Sequence, residues 1–163
     1  MAYLLDANVF IQAKNLHYGF DFCPAFWDWI DDQTSAGSVH SIERIADELL
    51  GGADELADWA RDRPSLFLKP DAEIVPSLGV VSEWANTANY EPAAIATFLQ
   101  VADYYLVAHA HAHDFVLVTH EIASASTRKI KIPDACIALG IKAMTPYEML
   151  RLERARFVLG SRP

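Results

Sequence analysis

Apolar and polar positions alternate along the chain in two rhythms, short unbroken apolar runs and longer stretches with helical spacing. A continuous run at 2–5 reads as a buried strand, and Val9–Lys14 as a short helix capped by Asp6 or Asn8. Asn15–Asp21 reads as a loop. The stretch 22–37 predicts a helix with an aromatic face of Phe22, Phe26, Trp29 and Ile30, widened by Trp27 and ended by Gly37. Ser38–His40 is a short strand, and Ser41 an N-cap for a helix burying Ile42, Ile45, Ala46 and Leu49.

After Gly51–Gly52, a helix over Ala53–Asp62 turns Leu56 and Trp59 inward, and Phe67–Leu68 makes a short edge element. Helical spacing returns at Ala72–Tyr90, with Pro76 near the first turn, and at Ala93–Leu99. Ala102–His113 predicts a helix beginning near Asp103 and ended by Asp114. Phe115–Val118 is a wholly apolar strand running into Thr119, His120 and Glu121. A helix starting near Asp134, a strand at Ile141–Met144 and a closing helix over Pro146–Phe157 complete the chain. This succession predicts an α/β fold, a short, mostly parallel sheet of four or five strands with helices on both faces.

With 163 residues, 52% apolar and 21% charged, the chain fits one globular domain spanning 1–163. It contains no apolar run of about 18 residues, so no membrane span is expected. Met1 leads straight into strand-like residues without a basic region, which argues against a signal peptide. Cys23 and Cys136 match no metal spacing and read as two buried thiols of a cytoplasmic protein. The net charge of −9 argues against a broad basic surface for nucleic acid. It leaves room for a nuclease whose clustered carboxylates are neutralised by metal.

The chemistry follows from the strand ends. Asp6 and Glu121 both follow apolar strands, and a parallel sheet brings such positions to one edge, where ligands bind. Asp103 at a helix start and Glu48 on another helix are the natural third and fourth acids. Such a set suits Mg²⁺ or Mn²⁺, which activates water and neutralises charge developing on a phosphodiester. From spacing alone, each acid is equally a cap or a surface ion-pair partner. His109, His111 and His113 look like a metal cluster in print, but neighbours at i, i+2 sit about 200° apart on a helix. Only His109 and His113 share a face, and ordinary, partly exposed histidines are the expectation.

The stretches YLLDANVFI, SIERIADELLGGADELADWA, FLQVADYYLVAHAHAHDFVLVTHE and KIKIPDACIALGI resemble the PIN-domain superfamily, the fold of the toxin ribonucleases of type II toxin–antitoxin modules. More narrowly they are similar to the PIN-like group labelled DUF4411. The resemblance implies a PIN-like three-layer α/β/α fold. It assigns the family's acids to Asp6, Glu48, Asp103 and Glu121, all catalytic and all ligands to Mg²⁺ or Mn²⁺. Asn8 takes a small polar position and Thr119 the hydroxyl position. Where the family usually carries Asp, this chain has Glu121, one methylene longer. Asp134 is a candidate further acid, equally a helix cap, and His120 a candidate substrate contact. Arg44, Arg128, Lys129 and Lys131 are candidate RNA-phosphate contacts, or else a solvated face.

What the resemblance implies is a metal-dependent endoribonuclease leaving a 5′-phosphate. Its partner would be a cognate antitoxin carrying a helix-turn-helix DNA-binding domain. A homodimer built on the aromatic helix is a further arrangement compatible with the sequence. The alternative is a weakly active or inactive PIN-like protein that works by binding protein or nucleic acid.

Overall fold

The computed structural model describes residues 1–160. Five strands, β1 (Tyr3–Leu5), β2 (Val39–Ile42), β3 (Phe67–Leu68), β4 (Val116–Val118) and β5 (Ala143–Met144), form one sheet in the order β3-β2-β1-β4-β5. Every pairing is parallel, with Tyr3 opposite both Val39 and Val116 and Leu5 opposite Val118. Parallel strands need long crossovers, and helices supply them. These are α1 (Ala7–Gln12), α2 (Pro24–Ser35), α3 (Glu43–Leu50), α4 (Glu55–Arg61), α5 (Ile74–Thr87), α6 (Pro92–Phe98), α7 (Ala102–His113), α8 (Ile132–Leu139) and α9 (Pro146–Leu152).

The central strands β1 and β4 are three residues each and buried throughout. Tyr3, Leu4 and Leu5 are inaccessible to water, as are Leu117 and Val118 beside them. A strand covered on both faces reads as an unbroken apolar run, which is how β1 and β4 appear in the sequence. Phe10 of α1 fills the adjoining core against Trp59 and Phe67. The helix α7 stops at Asp114, whose left-handed backbone (φ 56°) returns its N–H to Ala110.

Several elements depart from expectation. The segment Ala13–His17 is a π-helix continuing α1, so that helix runs through Asn15–His17, where a loop is expected, and Lys14 ties it to Asp54 at 2.7 Å. Ser41 belongs to β2 and donates its hydroxyl to the Leu5 carbonyl (2.7 Å), so α3 starts without a side-chain cap. A buried hydroxyl satisfied by a neighbouring strand is no longer free to cap. Phe22 precedes α2 and is 66% exposed, while Trp27 is buried with Phe26 and Ile30. Pro24, at the first position of α2, sets that later start. The closing helix ends at Leu152, five residues earlier than expected. Cys136 is buried, but Cys23 is only partly so. No helix among the described residues is long and apolar enough to cross a membrane.

Candidate active site at the sheet's carboxyl edge

Because all strands are parallel, their carboxyl ends share one edge. The chain fills β1, β2 and β3 toward one side and then crosses back to place β4 and β5 on the other. The crevice between the ends of β1 and β4 is therefore the topological switch point, where ligands bind in open α/β sheets. Asp6 leaves β1 there and Thr119 leaves β4 beside it. The Asp6 N–H bonds to Val118 O at 2.9 Å, which fixes the two exits against each other.

Asp6 is 5% exposed and firmly held. Its Oδ1 accepts the Ala7 N–H at 2.7 Å, capping α1, and its Oδ2 accepts the Thr119 hydroxyl at 2.8 Å. The Thr119 oxygen in turn accepts the Glu121 N–H (3.0 Å) and Asn8 Nδ2 (3.3 Å). Asn8 Oδ1 takes the His120 N–H at 3.1 Å. Asn8 and Thr119 thus knit the ends of β1 and β4 together around one carboxylate.

The other acids arrive from three directions. Asp103 stands in the first turn of α7 and Glu48 on the exposed side of α3. Glu121 follows β4 and its Oε2 accepts the N–H of Ile132 at the start of α8 (2.8 Å). Burial pushes the Asp6 carboxyl up to about 7, with Asp103 and then Glu121 repelling its charge and the Thr119 and Ala7 bonds opposing the rise. Burial likewise lifts Asp103 to about 6, aided by Glu121 and Glu48 and opposed by the Lys129 ammonium. Asp103 and Glu121 are thus felt at Asp6, and Glu121 and Glu48 at Asp103. Among the described residues, however, no three His, Cys, Asp or Glu side chains are close enough to enclose a metal ion as they stand.

A cleft of about 720 Å³ opens beside Asp103 and Glu48, lined also by Arg44, Asp47 and Lys129. It adjoins a smaller hollow of about 260 Å³ that shares Asp103 and Lys129 and adds Arg128. The Arg44 guanidinium lies 3.7 Å from the centre of the Tyr105 ring, which holds it against the cleft wall. Asp6, being buried, lines neither cavity.

The remaining candidates go elsewhere. Both oxygens of Asp134 accept the Ser124 N–H (3.3 and 3.2 Å), pinning the loop after β4. Lys131 caps α8 by its backbone and lines neither cavity. His109 is buried rather than partly exposed, with Nδ1 unpaired, and burial pulls its imidazole below the usual range. His113 instead pairs with Asp71 (2.8 Å), and His111 Nδ1 lies 2.7 Å from the Ser77 hydroxyl. The His120 ring turns toward His17 and Tyr147, neither of which the sequence pattern singles out.

A five-stranded parallel sheet in this order, flanked by helices, defines a PIN-like α/β protein. The chain belongs to the DUF4411 family, described as a domain of unknown function, whose pattern matches residues 3–157. Among solved structures, it is similar to a chain in the crystal structure of VapBC2 from Rickettsia felis bound to a DNA fragment from their promoter. That likeness has a TM-score of 0.56 at 13% identity, covering 89% of this chain and 98% of the other, and concerns the fold. No curated protein sequence matches the chain.

Proposed function

We propose that this chain is a single PIN-like domain acting as a metal-dependent endoribonuclease, the toxin of a type II toxin–antitoxin module in the cytoplasm. The observation that supports the reading is that Asp6 and Glu121 follow β1 and β4 at the switch point, with Asp103 raising the Asp6 carboxyl and Glu121 and Glu48 raising that of Asp103. Their chemistry fits a hard divalent cation, since all four offer carboxylate oxygens and their mutual repulsion is what a cation would relieve. Mg²⁺ or Mn²⁺ held by these acids would activate water and neutralise charge on the phosphodiester.

The chain's own groups have separable tasks. Asp6, immobilised by Thr119 and the Ala7 N–H, is the fixed ligand. Asp103 on α7 and Glu48 on α3 would supply further carboxylate ligands. Glu121 keeps Oε1 for the same purpose while the Ile132 N–H holds Oε2. Arg44, oriented by Tyr105, and Lys129 receive RNA phosphates in the cleft, with Arg128 in the adjoining hollow. A cognate antitoxin carrying a helix-turn-helix domain would cover this edge, in keeping with the fold shared with a VapBC2 chain. Pairing of two copies through the aromatic helix α2 belongs to the same reading.

Two observations favour the second reading, a PIN-like protein of little activity that works by binding. Glu121 is engaged at the start of α8, and the acids stand apart. Incubation of a mixed RNA pool with the protein, with Mn²⁺ or with chelator, separates the two. Cleavage that needs Mn²⁺ and is lost in Asp6→Asn supports the nuclease. Equal cleavage by both proteins overturns the assignment of the site, and RNA binding without cleavage supports the second reading.

A further inference from the structure

Three rings, one of them the candidate substrate contact His120, gather at the exits of β4 and β5. His17 ends the π-helix, His120 follows Thr119 at the exit of β4, and Tyr147 lies in the first turn of α9. Their centroids form a near-regular triangle: 5.5 Å from His17 to His120, 5.5 Å from His17 to Tyr147 and 5.6 Å from His120 to Tyr147. Tyr147 Oη and His17 Nε2 are 2.8 Å apart, so these two rings hold each other. Tyr18, its ring centroid 6.1 Å from that of His17, stacks in turn on Phe26 at 4.5 Å.

The cluster is locked to the catalytic edge. The His120 N–H bonds Asn8, whose amide bonds the same Thr119 hydroxyl that holds Asp6. Successive side chains after β4 therefore diverge, Thr119 to Asp6 and His120 to His17 and Tyr147. The sheet order sets the wider geometry. Arg44 follows β2 on one side of the β1–β4 crevice, and Tyr147 follows β5 on the other. A strand laid across the acids thus meets cations on one flank and rings on the other.

All three rings are partly exposed, and the His120 ring nitrogens bond to none of the described residues. A core cluster would be closed to water. A structural imidazole would spend its nitrogens on the protein. A partly exposed cluster of rings, with the His120 nitrogens unspent, suits a planar ligand with hydrogen-bonding edges. Nucleobases have that chemistry, and single-stranded nucleic acid is bound by stacking bases on aromatic side chains. We propose that His17, His120 and Tyr147 form a nucleobase subsite that seats the base flanking the scissile phosphodiester. The proposal rests on the nuclease reading for its substrate.

The test uses Asp6→Asn protein and a short fluorescent single-stranded RNA, bound in a series where one nucleotide at a time is abasic. The expected result is one position at which losing the base weakens binding about tenfold. That penalty should shrink to about twofold or less when His17→Ala or Tyr147→Ala is added, and persist with His17→Phe, which keeps a ring. A penalty unchanged in the alanine variants overturns the subsite, as does absence of RNA binding. Near-ultraviolet circular dichroism establishes that each variant is folded, and because His17→Ala and Tyr147→Ala are read independently, either one keeps the test decisive if the other does not fold. Cleavage by the wild-type chain is read separately. Metal-dependent cleavage with an unchanged penalty removes the subsite alone. A ring-dependent penalty without cleavage removes the nuclease reading and leaves a base-binding site.

Discussion

Thr119 donates its hydroxyl hydrogen to Oδ2 of Asp6 at 2.8 Å, across the crevice between β4 and β1. The carboxylate is nearly inaccessible to water, so this bond replaces solvation that burial removed. Thr119→Val keeps the shape and removes the donor. It should cost about 1–3 kcal/mol in chemical denaturation at neutral pH, whereas Thr119→Ser should stay near wild type.

The raised carboxyls make stability depend on pH. Asp6 and Asp103 ionise near 7 and 6 in the folded chain, against 3.8 for an ordinary Asp, so the folded state binds the extra protons. Their contribution is favourable at low pH and is lost as pH rises through the folded values. In chelator, and with respect to these groups, the melting temperature should fall between about pH 4 and 7. Asp6→Asn should flatten that fall and raise stability at pH 7.5 by on the order of 1–3 kcal/mol. Calorimetry across this pH range measures both effects.

Arg44 is positioned by a ring rather than by an acid, 3.7 Å from the Tyr105 centroid. Arg44→Ala should weaken RNA binding across sequences and lower the slope of log affinity against log salt by about 0.7. Tyr105→Leu should give a smaller loss of the same kind. Titrations at several salt concentrations read both.

Arg63 gives a contrast away from the site. It grips Asp31 through two bonds, 2.6 and 2.9 Å, donates to the Trp59 carbonyl and lies over the Trp59 ring. The partners are about one-third exposed, so solvent screening keeps the pair modest. Arg63→Ala should cost about 1 kcal/mol in stability and leave RNA cleavage unchanged.

Which parts were legible in the sequence follows from how local their causes are. The helix α7 starts at Ala102 and ends at His113 as its periodicity indicates, because Asp114 stops it within its own sequence. The fully apolar β1 and β4 announce buried parallel strands, and the order of elements implies the sheet. The π-helix at Ala13–His17 carries no such signature; it is held by contacts to Asp54 and Tyr147, far away in the chain. Ser41 looked like a cap because its bond to Leu5 crosses 36 positions. Asp6 was conspicuous by following a strand. The ring cluster was not, since His17, His120 and Tyr147 meet only once β1, β4 and β5 are side by side. Glu121 was legible as an acid, but its bond to the start of α8 was not.

The most direct measurement is diffraction from crystals soaked in Mn²⁺, collected for the wild-type chain and for Asp6→Asn at a wavelength where manganese scatters anomalously. An anomalous peak in contact with Asp6 and at least one of Asp103, Glu48 and Glu121, absent in Asp6→Asn, is the expected result. A wild-type map with no peak at this edge under saturating Mn²⁺, or a peak that survives Asp6→Asn unchanged, would contradict the assignment of these acids as a metal centre.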